Sequence, residues 1–239
     1  MNAFRIGLSG LGALLLAAAG NVALAAGAGS VTHLSGTLSV VKPDGSIRIL
    51  SQKSEVSPGD TLSTEKDSYA QINMTDGSSM TIRPNTRLKI EEYNFVQDKP
   101  QEDSSFFRLI RGGLRTVTGL VGKRGNQDAY RIGTSTATIG IRGSSGDTLE
   151  CSQGCEGVTN NADKLQKGVY HTTYTGSYVL TNASGEQVIG EGQFGFVKDA
   201  NSAPQILPGD PGLNLKDLPF TLGVGSGPIR GSGGECVVR

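Results

Sequence analysis

Short runs of alternating apolar and polar residues, four to seven long and each closed by a turn signal, recur from Ser30 to Val197. The period is two rather than 3.6, and no stretch of twelve residues carries a helical stripe. Thr37 to Val41 leads into Lys42-Pro43-Asp44-Gly45 and then Ile47 to Leu50, which reads as two strands around a β-turn. Tyr69 to Met74 sets Ala70, Ile72 and Met74 on one face, and Asp76-Gly77 follows as a hairpin signal. Met80 to Ile82 and Leu88 to Ile90 resume the alternation. Further strands are expected at 106–110, 114–117, 129–132, 134–141, 169–174, 178–181, 187–189 and 194–197. Glycine supplies 35 of the 239 residues, which argues against long helices. The expected fold is all-β: a short-stranded sandwich or a β-solenoid-like roll.

The two ends read differently. Residues 1–25 have the form of a secretory signal: Arg5, an apolar core from Gly10 to Ala19, and the cleavage site Ala23-Leu24-Ala25 before Ala26. The alternative is an uncleaved anchor, since Ile6 to Ala26 is long enough to span a bilayer. Residues 199–239 are rich in Pro and Gly and read as a flexible tail, with 213–222 as one apolar segment able to dock. Two polar stretches, 97–105 and 152–167, interrupt the strands; the first lacks apolar anchors and splits the β region into two lobes. The second holds one expected helical turn near 162–166.

Charge and side-chain chemistry narrow the function. The chain has 22 Lys+Arg and 22 Asp+Glu, and removal of Arg5 with the signal leaves a net charge of −1. That balance, with export, argues against nucleic acid as a partner. A basic cluster at Arg108, Arg111, Arg115, Lys123 and Arg124 has few stacking aromatics beside it, Phe106 and Phe107 excepted. In an oxidising compartment Cys151 and Cys155 are disulfide candidates. On an extended strand they would lie roughly 13 Å apart. A disulfide needs about 7 Å or less, so the segment must turn, which Gly154 permits. A metal site needs more ligands than the remote His33 and His171 offer. Cys236 is left free or for a partner outside the chain. Glu91-Glu92 alternate across a strand and do not converge as an acid–base pair. Gly140 to Gly143 lacks the following helix of a phosphate loop. No catalytic set and no cofactor site emerges.

The motifs in order resemble the FecR domain. They are Gly59-Asp60-Thr61-Leu62-Ser63-Thr64, Ala70 to Met74, Asp76-Gly77-Ser78, Pro84-Asn85-Thr86, Arg111-Gly112-Gly113-Leu114, and Ala137 through Arg142-Gly143. Gly176 to Leu180 and Gly190 to Phe194 resemble its closing strands, so the resemblance spans about 29–198. It implies an exported β domain for sensing and binding, with Asp76, Gly77, Gly140, Arg142 and Gly143 as structural motif residues. Arg142 is read as satisfying backbone carbonyls. Ser144 stands where the family pattern has Thr and keeps the hydroxyl. The family's regulators carry a cytoplasmic segment and a membrane span before this domain. Here a signal peptide precedes it, so their sigma-factor role is not carried over.

The reading is an exported, non-catalytic module, periplasmic or secreted, that senses, signals or binds an envelope or membrane protein. A structural or accessory envelope protein without a small-molecule ligand is the alternative. Intact-mass measurement of protein from the cell envelope should give a mature chain starting at Ala26 or within a residue or two. A membrane-bound mass that retains residues 1–25 overturns cleavage.

Overall fold

The computed structural model describes residues 27–126, 128–213 and 218; the signal segment, Cys236 and most of the tail lie outside them. Fifteen strands account for nearly all of the regular structure. They are β1 (Gly29–Ser35), β2 (Leu38–Val41), β3 (Ile47–Leu50), β4 (Glu55–Val56), β5 (Thr61–Thr64), β6 (Tyr69–Met74), β7 (Ser79–Ile82), β8 (Arg87–Asn94) and β9 (Ser104–Val117). Then come β10 (Tyr130–Gly133), β11 (Thr138–Glu150), β12 (Val169–Asn182), β13 (Gly185–Gly190), β14 (Phe194–Val197) and β15 (Gln205–Leu207). Two 3-10 turns, Pro100–Glu102 and Ala162–Lys164, are the helical pieces among the described residues. The all-β expectation holds.

Hydrogen bonding links all fifteen strands into one mixed sheet that divides into two ladders. The first runs β4-β1-β6-β7-β9-β11-β12-β14-β15. The second runs β3-β2-β5-β8-β9-β10-β11-β12-β13. Among the pairings of these fifteen strands, β9–β10 alone is parallel. The ladders share β9, β11 and β12, and the expectation of uniformly short strands fails at these three, which are 14, 13 and 14 residues long. The reason is a glycine corner in each. β9 leaves β8 and takes up β11 at Gly112, β11 shifts register between Arg142 and Ser145, and β12 passes from β14 to β13 across Gly176. Gly112, Gly143 and Gly176 have φ of 97°, 64° and 73°. An L side chain rarely adopts that backbone, so a sequence reading takes these points as strand ends, whereas here they bend a continuous strand.

The inward faces of both ladders meet in one apolar cluster. It includes Leu38, Leu62, Ile72, Met80, Leu88, Phe107, Tyr130, Ile139 and Tyr178, all without solvent exposure. Each such burial is worth about 1.5–3 kcal/mol per aliphatic or aromatic side chain. A smaller cluster lies on the outer face of the first ladder, where Leu149, Tyr170 and Phe196 pack with Cys151, Cys155, Val158 and Leu213. The fold therefore runs past residue 198: β15 pairs with β14, and Leu213 is 1% exposed. Of the expected flexible tail, residues 199–213 instead belong to the packed body.

The expected division at 97–105 also differs. β8 and β9 on either side of this stretch pair with each other. The loop is anchored by charge rather than by apolar contact: buried Asp103 takes Arg124 Nε at 2.9 Å and the Val96 amide at 3.1 Å.

The hairpin between β6 and β7 illustrates how tight the joints are. A Cβ placed on Gly119 would stand 2.2 Å from the Ser78 nitrogen and 2.4 Å from the Asp76 carbonyl oxygen, both backbone atoms. Nothing lies within 4 Å of a Cβ at Gly77, whose φ is 82°. Gly77→Ala should cost about 1–2 kcal/mol from backbone conformation alone. Gly119→Ala should cost about 1–3 kcal/mol by a different route, overpacking against fixed backbone. Urea unfolding of both variants is the check, and a Gly119→Ala midpoint equal to the parent's would contradict the clash.

Candidate interaction surface

The motif residues sit at joints of the fold. Asp76 closes the β6–β7 hairpin and pins the segment after β9. Its Oδ1 accepts the Ser78 amide at 3.0 Å, the Ser78 hydroxyl at 2.6 Å and the Tyr93 hydroxyl at 3.1 Å, while Oδ2 accepts the Val121 amide at 3.1 Å. Thr86 Oγ1 donates to the Gly113 carbonyl at 3.2 Å and accepts the Gly113 amide at 2.9 Å, joining Pro84-Asn85-Thr86 to the Gly112 corner. Ser144 Oγ lies 2.7 Å from the Ser177 carbonyl and accepts the Ser177 amide at 2.8 Å, so its hydroxyl ties the β11 corner to the β12 corner. Gly140 faces Val179 across the β11–β12 pairing. Arg142 departs from the expected carbonyl-satisfying role: its side chain is 47% exposed, with Asp128 at 3.7 Å. Its place one residue before the Gly143 corner carries it to the outer surface.

Cys151 and Cys155 are joined by a disulfide with Cα atoms 4.8 Å apart. The chain reverses through Gly154, whose amide donates to the Cys151 carbonyl at 2.8 Å. The bridge lies within the smaller apolar cluster, beside Leu213.

One charged node was not visible in the sequence. Asp147 on β11 has no solvent exposure. It accepts Arg83 Nη2 at 2.9 Å, Arg115 Nε and Nη2 at 2.8 Å each, and the Tyr174 hydroxyl at 2.8 Å. The Arg115 guanidinium also stacks on the Tyr174 ring, 4.7 Å from its centroid. Burial, then the Asp147 charge, pushes the Tyr174 hydroxyl well above its ordinary range. Removing one member of such a buried group typically costs about 3–5 kcal/mol. Asp147 lies beyond the expected strand at 134–141, in the part of β11 past its glycine corner and on the same face as Leu149. Its partners come from β9, the end of β7 and β12, and no local pattern joins those.

His171 points inward on β12, away from the disulfide loop. Thr148 Oγ1 lies 3.0 Å from its Nδ1 and Thr173 Oγ1 lies 3.3 Å from its Nε2, and its ring packs on Tyr178 at 4.1 Å. His171 and Cys155 are therefore not brought together. No group of three or more His, Cys, Asp or Glu side chains among the described residues is arranged to hold a metal. Glu91 and Glu92 do not converge, but strand alternation is not the reason, and each has its own partner in place of a solvated edge. A bulge between Ile90 and Glu92 breaks the alternation. Glu91 takes Arg108 at 2.7 and 3.3 Å, while Glu92 takes the Ser104 hydroxyl at 2.5 Å.

The outer face and rim of the second ladder hold the exposed side chains of interest. Phe106 on β9 lies across Gly133, where a Cβ would come within 2.9 Å of the ring. The Arg108 and Arg131 guanidinium carbons each stand 5.3 Å from the Phe106 centroid. At the rim β3 pairs with β2 alone among the described residues, and Ile47 and Ile49 are 71% and 70% exposed.

The buried imidazole gives a pH test. Burial lowers His171 from 6.5 to about 3, against an opposing pull from Asp147. Below pH 6.5 the unfolded chain binds a proton that the folded chain refuses until about pH 3, so acidification through that window costs stability. His171→Gln should flatten the loss, by up to about 1.4 kcal/mol per pH unit between about pH 6 and 4.5. Urea titrations at each pH provide the measurement, and identical slopes for the two proteins would show that His171 is not the group responsible.

Comparison with known proteins bears on the family. No curated protein matches the chain. Two solved structures of a proposed anti-sigma factor from Parabacteroides distasonis ATCC 8503 match at 12% and 11% identity, each with a TM-score of 0.45. Each alignment covers 63% of this chain and 60% of that one, so the chain spans less than two thirds of the length of either. A solved cell surface anchoring domain matches 26% of this chain and 80% of its own, at 24% identity and a TM-score of 0.25. The matching family model is the one described as FecR protein, and the part of this chain that it identifies as a FecR domain is residues 60–157.

Proposed function

We propose that the chain is an exported, non-catalytic signalling or regulatory module that works by binding an envelope or membrane protein. The FecR match over residues 60–157 supports a regulatory role. The observation that carries the binding reading is the rim of the second ladder, a strand paired on one side with two large apolar side chains in solvent. Apolar surface of that kind on a rigid sheet suits recognition of another chain. The motif residues Asp76, Thr86 and Ser144 are bonded within the fold, so they support the scaffold rather than a reaction. Export rests on the form of residues 1–25.

The test is affinity capture from the cell envelope with the mature chain, followed by reconstitution with the purified candidate. A single protein bound in fixed stoichiometry is expected. Reproducible turnover of a substrate, lost on substitution of His171 or Cys155, would replace this reading with an enzymatic one.

A further inference from the structure

Among the described residues β3 is a free edge, guarded only by its four-residue length and by Arg48, which shares the face of buried Leu50. Natural edge strands are blunted by proline, bulges, inward charges or covering loops. β3 contains no proline, pairs with β2 in unbroken register over four residues, and exposes Ile47, Arg48 and Ile49 while burying Leu50. Ile47 and Ile49 stand opposite Val41 and Ser39, and Arg48 stands opposite Val40. Strand alternation places the two isoleucines on one face and Arg48 on the other. No described carboxylate forms an ion pair with Arg48. Asp44, in the preceding turn, accepts the Ser46 amide at 2.9 Å, and Ser46 rather than Arg48 is the first cause holding it below the ordinary carboxylate range.

We propose that β3 docks an extended segment of a partner protein in which an acidic residue lies between two apolar ones. The inference rests on the protein-binding reading above and names the chemistry of the partner. An added strand takes its main-chain hydrogen bonds from the open side of β3, while its side chains meet those directly opposite. Its two apolar residues then cover Ile47 and Ile49, and its carboxylate faces Arg48. A second copy of this chain fits less well. The antiparallel register that sets Ile47 against Ile49 of the second copy also sets Arg48 against Arg48, and like charges directly opposite are destabilising.

The probe is a synthetic peptide with a central Val-Glu-Val, compared with its Val-Lys-Val counterpart on the full mature chain. Fluorescence anisotropy should show the Glu peptide binding at least tenfold more tightly. Arg48→Glu should reverse that order, and Ile47→Thr with Ile49→Thr should weaken both peptides at least tenfold. All of these side chains are solvent-exposed, so circular dichroism should show the fold retained. Amide shifts on peptide addition should centre on 47–50. Equal affinity for the two peptides overturns the proposal, as does a dimer in light scattering that the isoleucine variant abolishes. Envelope capture separates this failure from failure of the broader reading. A partner held equally by the parent and by the isoleucine variant leaves the protein-binding reading standing and removes β3 from it. No captured partner and no peptide binding removes both.

Discussion

Three glycine corners hold the architecture together. At Gly112, Gly143 and Gly176 a long strand changes partners, and at each point the backbone has a positive φ. The corners are stitched to their neighbours: Thr86 bonds both backbone groups of Gly113, and Ser144 bonds both backbone groups of Ser177. A Cβ on Gly112 would meet the Thr86 side chain, and one on Gly176 would meet Ser144 Oγ. The two ladders can share one apolar interior because β9, β11 and β12 turn between them. Had these strands ended at their glycines, each ladder would have further edges with unpaired backbone, which are costly to bury.

The charged node follows from the same geometry. Asp147 lies on the limb of β11 beyond its corner, beside Arg115 on β9. The turn brings Arg83, just after β7, and Tyr174 on β12 to the same carboxylate. Three donor groups satisfy a charge that could not otherwise be removed from water at tolerable cost. The neighbouring apolar cluster with the Cys151–Cys155 bridge packs on the same outer face. On the second ladder Phe106 is half-buried, while Arg131 and Ile47 to Ile49 of the rim strand are exposed.

Local signals were legible and long-range ones were not. The alternation at Tyr69 to Met74 and the Asp76-Gly77 turn identified β6 and its hairpin, because period and turn chemistry are properties of neighbouring residues. The continuity of β9 through Gly112-Gly113 was hidden, because the same glycines that end a strand also bend one. Asp103 looked like part of an unanchored loop, since its partner Arg124 lies beyond the whole of β9. Leu213 was expected as a possible dock, but β15 was hidden by its surroundings of Pro and Gly. For the candidate surface, Ile47 and Ile49 were assigned correctly to a strand. Their exposure depends on which face of β3 turns toward the core with Leu50, and that is a tertiary fact.

Order of assembly is a further consequence of the parallel β9–β10 pairing. Tyr130 to Gly133 lies beside residues 105–108 of β9 and also beside β11, so this strand is held on both sides only after the chain has passed residue 140. β9 in turn stays incomplete until residues 145–150 arrive against 112–117. Pairings across such sequence distances must first meet a loop-closure cost, and they slow folding relative to local contacts. The central strands are therefore expected to close late and together. For a chain exported as proposed, such slow closure would help to keep it unfolded until it has crossed the membrane.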